Sequence, residues 1–522
     1  MSSTEYTGVF DLPASGGGLN ESERLLARLC RKSFLSLWAF PNLHTDEGFQ
    51  AGVGSAKEFT DVLLVFGDDV VLFSDKHVAF NEDKTVEVAW VRWYRRAIQQ
   101  SAKQLYGALR WLQRYPTRIF LDAKCNRPLP VNLPDPSCAR YHLVAVTRGS
   151  YEACAKWFPG SLGTLQIRSD IGADPDPKRP FAVGRCDPSK PFIHVFDEFS
   201  LEVILGEFDT AVDFITYLRA RDAFLANPSH LISAAGEEQL VASYLLNMKG
   251  DEHWFTPAFE DGKEPNLLSF GESLYPGLRD RPEYKAKKAA DEPSYYWDAM
   301  IEQFIRLGDP EILDPPIAQD KVLTEEGLRI IASESRFRRR LLTETLRETI
   351  LKAKARPTLK WFARTVAAPE MSNRVYIFLV IPKSSDESYK EYRKHRVSVL
   401  HAYCRCAKLR IPGANTFVGM AFDHPVRDYA GSSEDLFIYK CDELTDEQRA
   451  ETERYRQELG ILPDNLEPQD RHAEEFPSVA QHEQHASLAE AARGDMEFER
   501  TRRRKHKREM AKDSRRRNRR KK

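Results

Sequence analysis

Two β-rich runs separated by a short polar turn constrain the fold of this chain more than any other feature. Residues 58–66 and 70–76 are rich in Val, Leu and Phe, and Gly67-Asp68-Asp69 lies between them. Runs of this composition around a Gly-Asp sequence predict a β-hairpin. Asp61 therefore lies near the start of one strand, and Lys76 lies at the end of the next.

Helical periodicity flanks the hairpin on both sides. Apolar residues recur at helical spacing from residue 19 to residue 37, and again from residue 88 to residue 115, where Pro116 ends the pattern. A short strand is predicted at residues 119–121. The order of helix, hairpin, helix and strand predicts an α/β domain over residues 19–125.

Two further α+β domains are predicted after a proline-rich link. The smaller one spans residues 138–226, with strands at 141–147 and 192–205. The larger one spans residues 233–445. Its predicted elements are helices at 237–246, 294–307, 325–354 and 387–408, and strands at 374–381, 416–421 and 436–439. The fold class is therefore a multidomain α/β and α+β protein.

The C-terminal segment differs from the rest of the chain in composition. Residues 464–522 are polar and predict a disordered tail, which becomes strongly basic from residue 500. Residues 500–522 contain fifteen Lys or Arg and two acids, so they carry +13, whereas the rest of the chain carries −14. Such a tail can bind DNA or RNA by counterion release, or an acidic protein partner, or it is simply solvated.

Several classes of protein are excluded by composition. The chain is 42% hydrophobic and 30% charged, which is typical of a soluble, core-forming protein. The longest clean apolar stretch, residues 375–381, is too short to span a membrane, and no secretory signal begins the chain. Eight scattered cysteines predict reduced thiols. We therefore expect a cytoplasmic protein without a membrane partner; its oligomeric state stays open.

The pairing of Asp61 depends on the turn that connects the two strands. A two-residue turn pairs Asp61 with Ser74 or with Lys76, depending on which two residues form it. A three-residue turn pairs it with Asp75 instead. Because side chains alternate along a strand, either two-residue register places Asp61 on the face that Ser74 and Lys76 share. A carboxylate and an ammonium group then lie together at one end of the hairpin.

This arrangement resembles the PD-(D/E)xK, or restriction-endonuclease-like, nuclease core over about residues 19–122. The resemblance implies that Asp61 and Glu23 bind Mg²⁺ or Mn²⁺, with Glu21 as the weaker match on the first helix. It also implies that Lys76 orients or activates the attacking water. Phosphodiester hydrolysis requires a hard cation, oxygen ligands with open positions and a group that acts on the water.

Two positions depart from the pattern of that family. Thr60 stands where proline is usual, and Ser74 stands where the second acid is expected. As a member of the catalytic set, Ser74 reaches a metal through its hydroxyl or through a water molecule but brings no charge. Either Glu23 supplies the second carboxylate, or the metal is bound poorly and the site is inactive.

A basic stripe on the second helix is the candidate nucleic-acid contact. Arg92, Arg96, Lys103 and Arg110 recur at intervals of four and seven residues and share one side of the helix. Gln104 and Lys103 are the residues expected nearest to the site, because family members often place polar helix residues there. The alternative is a solvated helix face above an aromatic core.

The sequence thus predicts a metal-dependent nuclease that hydrolyses DNA or RNA, with two accessory domains. A single nuclease module with large accessory domains suits a host-defence effector by analogy of architecture. The alternative is a catalytically inactive nucleic-acid-binding or adaptor protein with a degenerate nuclease fold. The missing acid at Ser74 favours the adaptor, whereas Asp61, Lys76 and Glu23 favour the enzyme.

Overall fold

The computed structural model describes most of the chain in ten stretches. The described residues are 10–12, 21–52, 54–249, 252–257, 265–307, 321–356, 358–367, 373–425, 434–471 and 473–477. The basic run from residue 500 and its expected partners lie outside these stretches. Within them, no helix has both the length and the apolar composition that crossing a membrane requires.

Helices and strands alternate along the chain. The strands are β1 (Ala39–Thr45), β2 (Lys57–Phe66), β3 (Asp69–His77), β4 (Arg140–Arg148), β5 (Gln166–Arg168), β6 (Ala182–Val183), β7 (Ile193–Asp197), β8 (Leu231–Ala234), β9 (Asn247–Lys249), β10 (Glu252–Trp254), β11 (Leu267–Phe270), β12 (Phe362–Ala367), β13 (Arg374–Ile381), β14 (Thr416–Asp423) and β15 (Glu434–Lys440).

The α-helices surround these strands. They are α1 (Glu21–Phe34), α2 (Glu47–Gln50), α3 (Val86–Tyr94), α4 (Gln100–Arg114), α5 (Tyr151–Trp157), α6 (Glu198–Glu207), α7 (Ala211–Ala226), α8 (Glu237–Leu246), α9 (Leu274–Asp280), α10 (Pro282–Asp291), α11 (Tyr295–Leu307), α12 (Lys321–Ala332), α13 (Arg336–Lys354), α14 (Tyr389–Arg410) and α15 (Asp446–Leu459). A π-helical turn, Arg95–Gln99, joins α3 to α4.

The first sheet has the strand order β1-β2-β3-β4-β7. The first three strands are antiparallel neighbours, whereas β4 runs parallel to β3 and β7 runs parallel to β4. The sheet therefore joins strands from residues 19–125 and from residues 138–226. The strand predicted at residues 119–121 is wrong: only Phe120 forms isolated bridges, to His44 and Pro128. The next strand along the chain after α4 is β4.

The hairpin has a two-residue turn. Phe66 pairs with Asp69 and Val62 pairs with Phe73, so Gly67 and Asp68 form the turn. The regular pairing ends at Val62 and Phe73, one step before Asp61 and Ser74, so the turn is the first of the predicted alternatives. The expectation that Asp61 shares a face with Ser74 and Lys76 is not met, because its carboxylate lies with Glu23 of α1 while Ser74 contacts α4. Gly67 has a φ of 61°, and Asp68 has no positive φ, which agrees with a type II′ turn that has glycine at its first central position. The turn residue thus sets the register of the strands that carry Asp61 and Lys76.

Strand β3 is covered on both faces. The Phe73 ring lies 6.5 Å from that of Phe34 on α1, centroid to centroid. On the opposite face, the Ser74 hydroxyl lies 3.4 Å from the hydroxyl of Ser101 on α4. Since successive side chains of a strand point to opposite faces, α1 and α4 pack on opposite sides of the sheet. The hairpin is therefore held between the two helices expected from the sequence.

Two predicted elements have different boundaries in the structure. Residues 198–205, predicted to continue a strand, belong to helix α6, because the Asp197 carboxylate accepts a hydrogen bond from the Ser200 N–H and caps the helix. The single helix predicted at 325–354 is two helices, α12 and α13, and Ser335 caps the second. A local capping side chain decided both cases, whereas the apolar pattern alone did not.

The other two larger sheets have four strands each, in the orders β11-β8-β5-β6 and β12-β13-β14-β15. The predicted strands at 374–381, 416–421 and 436–439 and the helix at 387–408 are confirmed as β13, β14, β15 and α14. In β13, Tyr376 and Phe378 face the main core, whereas Ile377 and Leu379 pack in a second core with α14. This two-residue alternation is typical of a strand buried on both faces.

Part of the predicted disordered tail is attached to the body of the protein. The Arg340 guanidinium donates hydrogen bonds to the backbone carbonyls of Glu474 and Glu475. Arg471 forms an ion pair with Glu348 on α13. The described chain therefore reaches residue 477 in contact with α13, and the remaining residues of the tail lie outside the described stretches.

We expect Gly67→Ala to lower the free energy of unfolding by about 1–2 kcal/mol, because an L-residue in the left-handed conformation is strained. Gly107→Ala is the matched control: Gly107 lies within α4, and a Cβ there meets nothing within 4 Å. We expect this control to be neutral or to stabilise by about 0.5–1 kcal/mol. Urea denaturation measures both changes, and equal losses in the two variants would contradict the turn assignment.

Candidate functional site

The start of β2 and the end of β3 lie beside each other, because the two strands are antiparallel. Asp61 follows the first residues of β2, and Lys76 is the penultimate residue of β3. Helix α1 packs on this sheet, with Glu23 in its first turn. The residues named by the sequence analysis therefore lie on three elements that meet at one end of the hairpin.

Three carboxylates converge at this point. Glu23, Glu58 and Asp61 each offer one oxygen, and these oxygens all lie within 4.8 Å of one another. Among the residues that the structure describes, no other group of three metal-ligating side chains is this close. Asp61 is buried and Glu58 is exposed, so the cluster extends from the protein interior to solvent.

Glu58 was not identified from the sequence because of a β-bulge. Consecutive residues of β1 pair with Thr60 and with Glu58, so Phe59 is an extra residue in β2. In a regular strand, residues three apart point to opposite faces. A bulge inserts one residue and reverses this phase, which brings Glu58 and Asp61 to the same side. The sequence therefore identifies Glu58 as a candidate metal ligand beside Asp61 only if the bulge is already known.

The Asp61 carboxylate is placed by a backbone hydrogen bond. The Asp75 N–H donates to Asp61 Oδ2 at 2.6 Å. The pKa of Asp61 is raised to about 7, mainly by burial and in smaller part by the negative charges of Glu58, Asp75 and Glu23, while the hydrogen bond from the Asp75 N–H opposes the rise. A bound cation would compensate this repulsion, so the cluster favours a positive ligand.

Asp75 is close to the cluster but has its own partner. Arg148, at the end of β4, donates from Nε to both Asp75 oxygens at 3.1 and 3.2 Å. Burial raises the pKa of Asp75, and the Arg148 guanidinium opposes this rise. Glu23 also raises the pKa of Asp75, so the two carboxylates lie near each other. The ion pair balances the charge of Asp75 and holds β3 against β4.

Ser74 contacts α4. Its side chain is fully buried, and its hydroxyl lies 3.4 Å from Ser101 Oγ and 3.4 Å from Gln104 Oε1. Gln104 therefore lies directly beside the motif strand, as expected for a polar helix residue near the site. The hydroxyl thus participates in the packing of the helix on the sheet.

Lys76 is partly buried and lies opposite Thr147 in the parallel pairing of β3 with β4. Within the described part of the chain, no hydrogen bond or ion pair occupies its ammonium group. Its position two residues after Ser74 places it at the strand end that also carries the acidic cluster. By the alternation of side chains, Lys76 shares the α4 face of β3 with Ser74, whereas Glu23 of the cluster lies on α1, which packs on the other face.

The carboxylate geometry fits a hard divalent cation. Oxygen ligands of Mg²⁺ lie at about 2.0–2.1 Å and those of Ca²⁺ at about 2.3–2.6 Å, so oxygens across one ion are separated by about 4–5 Å. The 4.8 Å limit of the cluster agrees with this separation. Glu23, Glu58 and Asp61 are therefore the residues able to hold an ion, with one side open to solvent at Glu58.

The basic stripe is exposed along the helix that follows the hairpin. Arg92, Arg96, Lys103 and Arg110 are all exposed. No ion pair joins them to an acidic residue in the described stretches. The π-helical turn Arg95–Gln99 contains Arg96 and lies between Arg92 on α3 and Lys103 on α4. The stripe is thus a row of uncompensated positive charges on the helix that contacts Ser74.

Comparison with known proteins gives no matching family model, no matching curated protein and no matching solved structure.

We expect Asp61→Asn to stabilise the metal-free protein in a pH-dependent way. Between the ordinary aspartate pKa of 3.8 and the raised value of about 7, the folded state keeps a proton that the unfolded state releases. Burial of Asp61 therefore destabilises the wild type progressively as the pH rises through this window. The gain in unfolding free energy from Asp61→Asn is small at pH 4 and reaches about 1–3 kcal/mol at pH 8.

Denaturation in EDTA at a series of pH values measures this gain. Glu87→Gln, at an exposed position on α3, is the control for the removal of one carboxylate. A gain from Asp61→Asn that is the same at pH 4 and pH 8 would show that Asp61 does not titrate in this window.

Proposed function

We propose that this protein is a metal-dependent nuclease that hydrolyses phosphodiesters of DNA or RNA. The observation that carries this proposal is the convergence of Glu23, Glu58 and Asp61 within 4.8 Å, at the hairpin end that also carries Lys76. Carboxylates placed for a divalent ion beside a lysine are the groups that phosphodiester hydrolysis requires. As part of the same proposal, we assign the N-terminal domain to the restriction-endonuclease-like fold.

The order of elements supports this assignment. Helix α1 precedes the strands, the hairpin β2–β3 carries the acid and the lysine, and the basic helix α3–α4 follows. These are the elements on which the resemblance to the PD-(D/E)xK nucleases rests. Strand β4 then returns parallel to β3, with the helix as the connection, and completes one continuous sheet behind the site.

Each side chain has a role that follows from its position. Glu23, Glu58 and Asp61 would hold Mg²⁺ or Mn²⁺, which supplies charge stabilisation at a phosphoryl oxygen and lowers the pKa of a water molecule. The Asp75 N–H keeps the Asp61 carboxylate oriented. Lys76 orients the attacking water or stabilises the negative charge that develops on the phosphate. The exposed side at Glu58 leaves room for the substrate.

The basic stripe supports a nucleic acid as the substrate. Arg92, Arg96, Lys103 and Arg110 offer positive charge without acidic partners in the described part of the chain. Such a row binds the phosphate backbone and positions it independently of sequence. The helix packs on the motif strand through Ser101 and Gln104, so the stripe lies on the outer side of the helix that covers the hairpin.

The burial of Ser74 favours a second candidate function. At the position where the resemblance calls for an acid, the side chain is fully buried against α4 and brings no charge. A protein with this arrangement can bind nucleic acid and still lack the second metal-binding acid of the motif. The second candidate is therefore a non-catalytic nucleic-acid-binding or adaptor protein with the same fold.

We expect the purified protein to cleave DNA or RNA in Mg²⁺ or Mn²⁺, and not in EDTA. Asp61→Ala, Glu58→Gln and Lys76→Ala should each reduce the rate at least about a hundredfold, because each removes a group that acts on the transition state. Gel-based cleavage of single- and double-stranded DNA and RNA measures the rates.

Two measurements separate loss of chemistry from loss of fold. Thermal denaturation should show all three variants folded, and the exposed-site variant Glu87→Gln should retain full activity. Calorimetric titration with Mn²⁺ should show binding to the wild type and to Lys76→Ala, but not to Asp61→Ala. Metal binding without cleavage of any of the four substrates would favour the adaptor function.

We expect the triple variant Arg96→Gln/Lys103→Gln/Arg110→Gln to bind nucleic acid more weakly and with a lower salt dependence. Loss of three phosphate contacts should reduce the slope of log K against log salt by about 2–3. The control is Lys124→Gln/Lys394→Gln/Arg449→Gln, which removes three exposed cations elsewhere. Fluorescence anisotropy at several salt concentrations measures both slopes, and equal slopes in the two variants would contradict a role for the stripe.

A further inference from the structure

A cavity of about 330 Å³ lies on the opposite side of the first sheet from the hairpin. Its walls are the edge strand β7, strands β5, β6 and β8 of the second sheet, and the C-terminal end of α7. Two strands, β3 and β4, separate β2, which carries Asp61, from the far edge of the sheet at β7. The cavity is therefore distinct from the acidic cluster and plays no part in the proposed hydrolysis.

Three arginines line the cavity, and no acidic side chain lines it in the described chain. Arg221 is held by Glu237 in a two-point ion pair at 2.7 and 2.8 Å. Arg168 is similarly paired with Asp170, which lies outside the cavity lining. Arg185 differs from both because its side chain forms no hydrogen bond or ion pair with a described residue, although Asp222 lies within electrostatic range of it. An arginine that lines a cavity without a directly bonded carboxylate is the one best able to bind an anion there.

The backbone around Arg185 is fixed by close packing. Gly184 approaches the loop that ends β5 so closely that a Cβ there would lie 2.2 Å from the Ile171 carbonyl oxygen. The Arg185 N–H donates to the same carbonyl at 3.1 Å. The arginine therefore extends from a rigid position, which lowers the entropy that binding a ligand would cost.

The remaining wall of the cavity is apolar. Ile167, Val183, Ile193 and Val195 are buried side chains that face it. Phe192 is partly exposed and adds an aromatic surface. Exposed residues at the end of α7 form part of the rim, where the last carbonyls of a helix lack intrahelical partners and accept hydrogen bonds. The cavity thus combines cationic donors, an aromatic and apolar wall, and backbone acceptors.

We propose that this cavity binds a small organic anion of the nucleoside monophosphate class. The phosphate would accept hydrogen bonds from Arg185, with Arg168 beside it. The planar base would lie against Phe192 and the aliphatic wall, since aromatic rings and aliphatic side chains favour stacking of a base. A volume near 330 Å³ lies at the lower end of the range for small-ligand pockets, which fits a monophosphate better than a larger nucleotide.

Isothermal titration calorimetry of the full-length protein in EDTA and about 150 mM salt tests the proposal, since this ionic strength screens exposed charges over about 8 Å. The probes are AMP, GMP, CMP, UMP, the corresponding nucleosides and inorganic phosphate. We expect at least one monophosphate to bind more tightly than its nucleoside and than inorganic phosphate. Arg185→Gln should weaken this binding roughly tenfold to a hundredfold, the effect of one charged hydrogen bond.

Three further variants test whether the monophosphate binds in the cavity. Arg168→Gln should also weaken binding, and it leaves Asp170 paired with Arg179. Lys178→Gln removes an exposed cation nearby that does not line the cavity, and it should leave the affinity unchanged. Asp61→Asn should have no effect on monophosphate binding, which separates this site from the acidic cluster.

Each remaining outcome overturns the proposal. If no monophosphate gives a heat of binding at millimolar concentration, the cavity is not a nucleotide site. Equal affinity for inorganic phosphate and monophosphates would show that the apolar wall binds no base. An affinity that Arg185→Gln leaves unchanged, or that Lys178→Gln lowers equally, would place the bound anion elsewhere on the surface.

Discussion

Burial of β3 on both faces is the constraint on which the arrangement of the N-terminal half depends. Its neighbours are antiparallel β2 and parallel β4, and helices α1 and α4 cover its two faces. A strand in this position cannot slip by one residue, because a slip would exchange Phe73 and Ser74 between the two helices. The two-residue turn at Gly67 agrees with the same register. Turn geometry and burial thus specify together which residues meet at the hairpin end.

Two buried acids at this end have opposite electrostatic surroundings. Asp75 faces the Arg148 guanidinium, and the resulting ion pair connects β3 to β4. Asp61 has the Asp75 N–H as a partner but faces the carboxylates of Glu23 and Glu58. A structural carboxylate is expected to resemble Asp75, whereas an acid kept among other acids lowers stability unless a cation joins them. The electrostatic cost at Asp61 is therefore the physical argument for a functional role.

The first sheet presents different chemistry at its two sides. The hairpin side carries an acidic cluster suited to a cation, with Glu58 open to solvent. The side at β7 borders a cavity lined by Arg185, whose side chain has no directly bonded carboxylate among the described residues, and this suits an anion. The strands between them are close-packed and rigid.

The amino-acid sequence alone determined the local elements, because periodicity and capping act between residues close in the chain. The hairpin, its flanking helices and the strands and helix at residues 374–439 follow from such patterns, whereas Asp61, Lys76 and Glu23 became candidates through the resemblance to the PD-(D/E)xK nucleases. The tertiary structure decided which distant segments pair: β4 lies beside β3, and the bulge at Phe59 adds Glu58 to the cluster. It also decided that Ser74 contacts α4 and that Arg185 lines a cavity. These depend on packing between residues far apart in the chain, which no local pattern records.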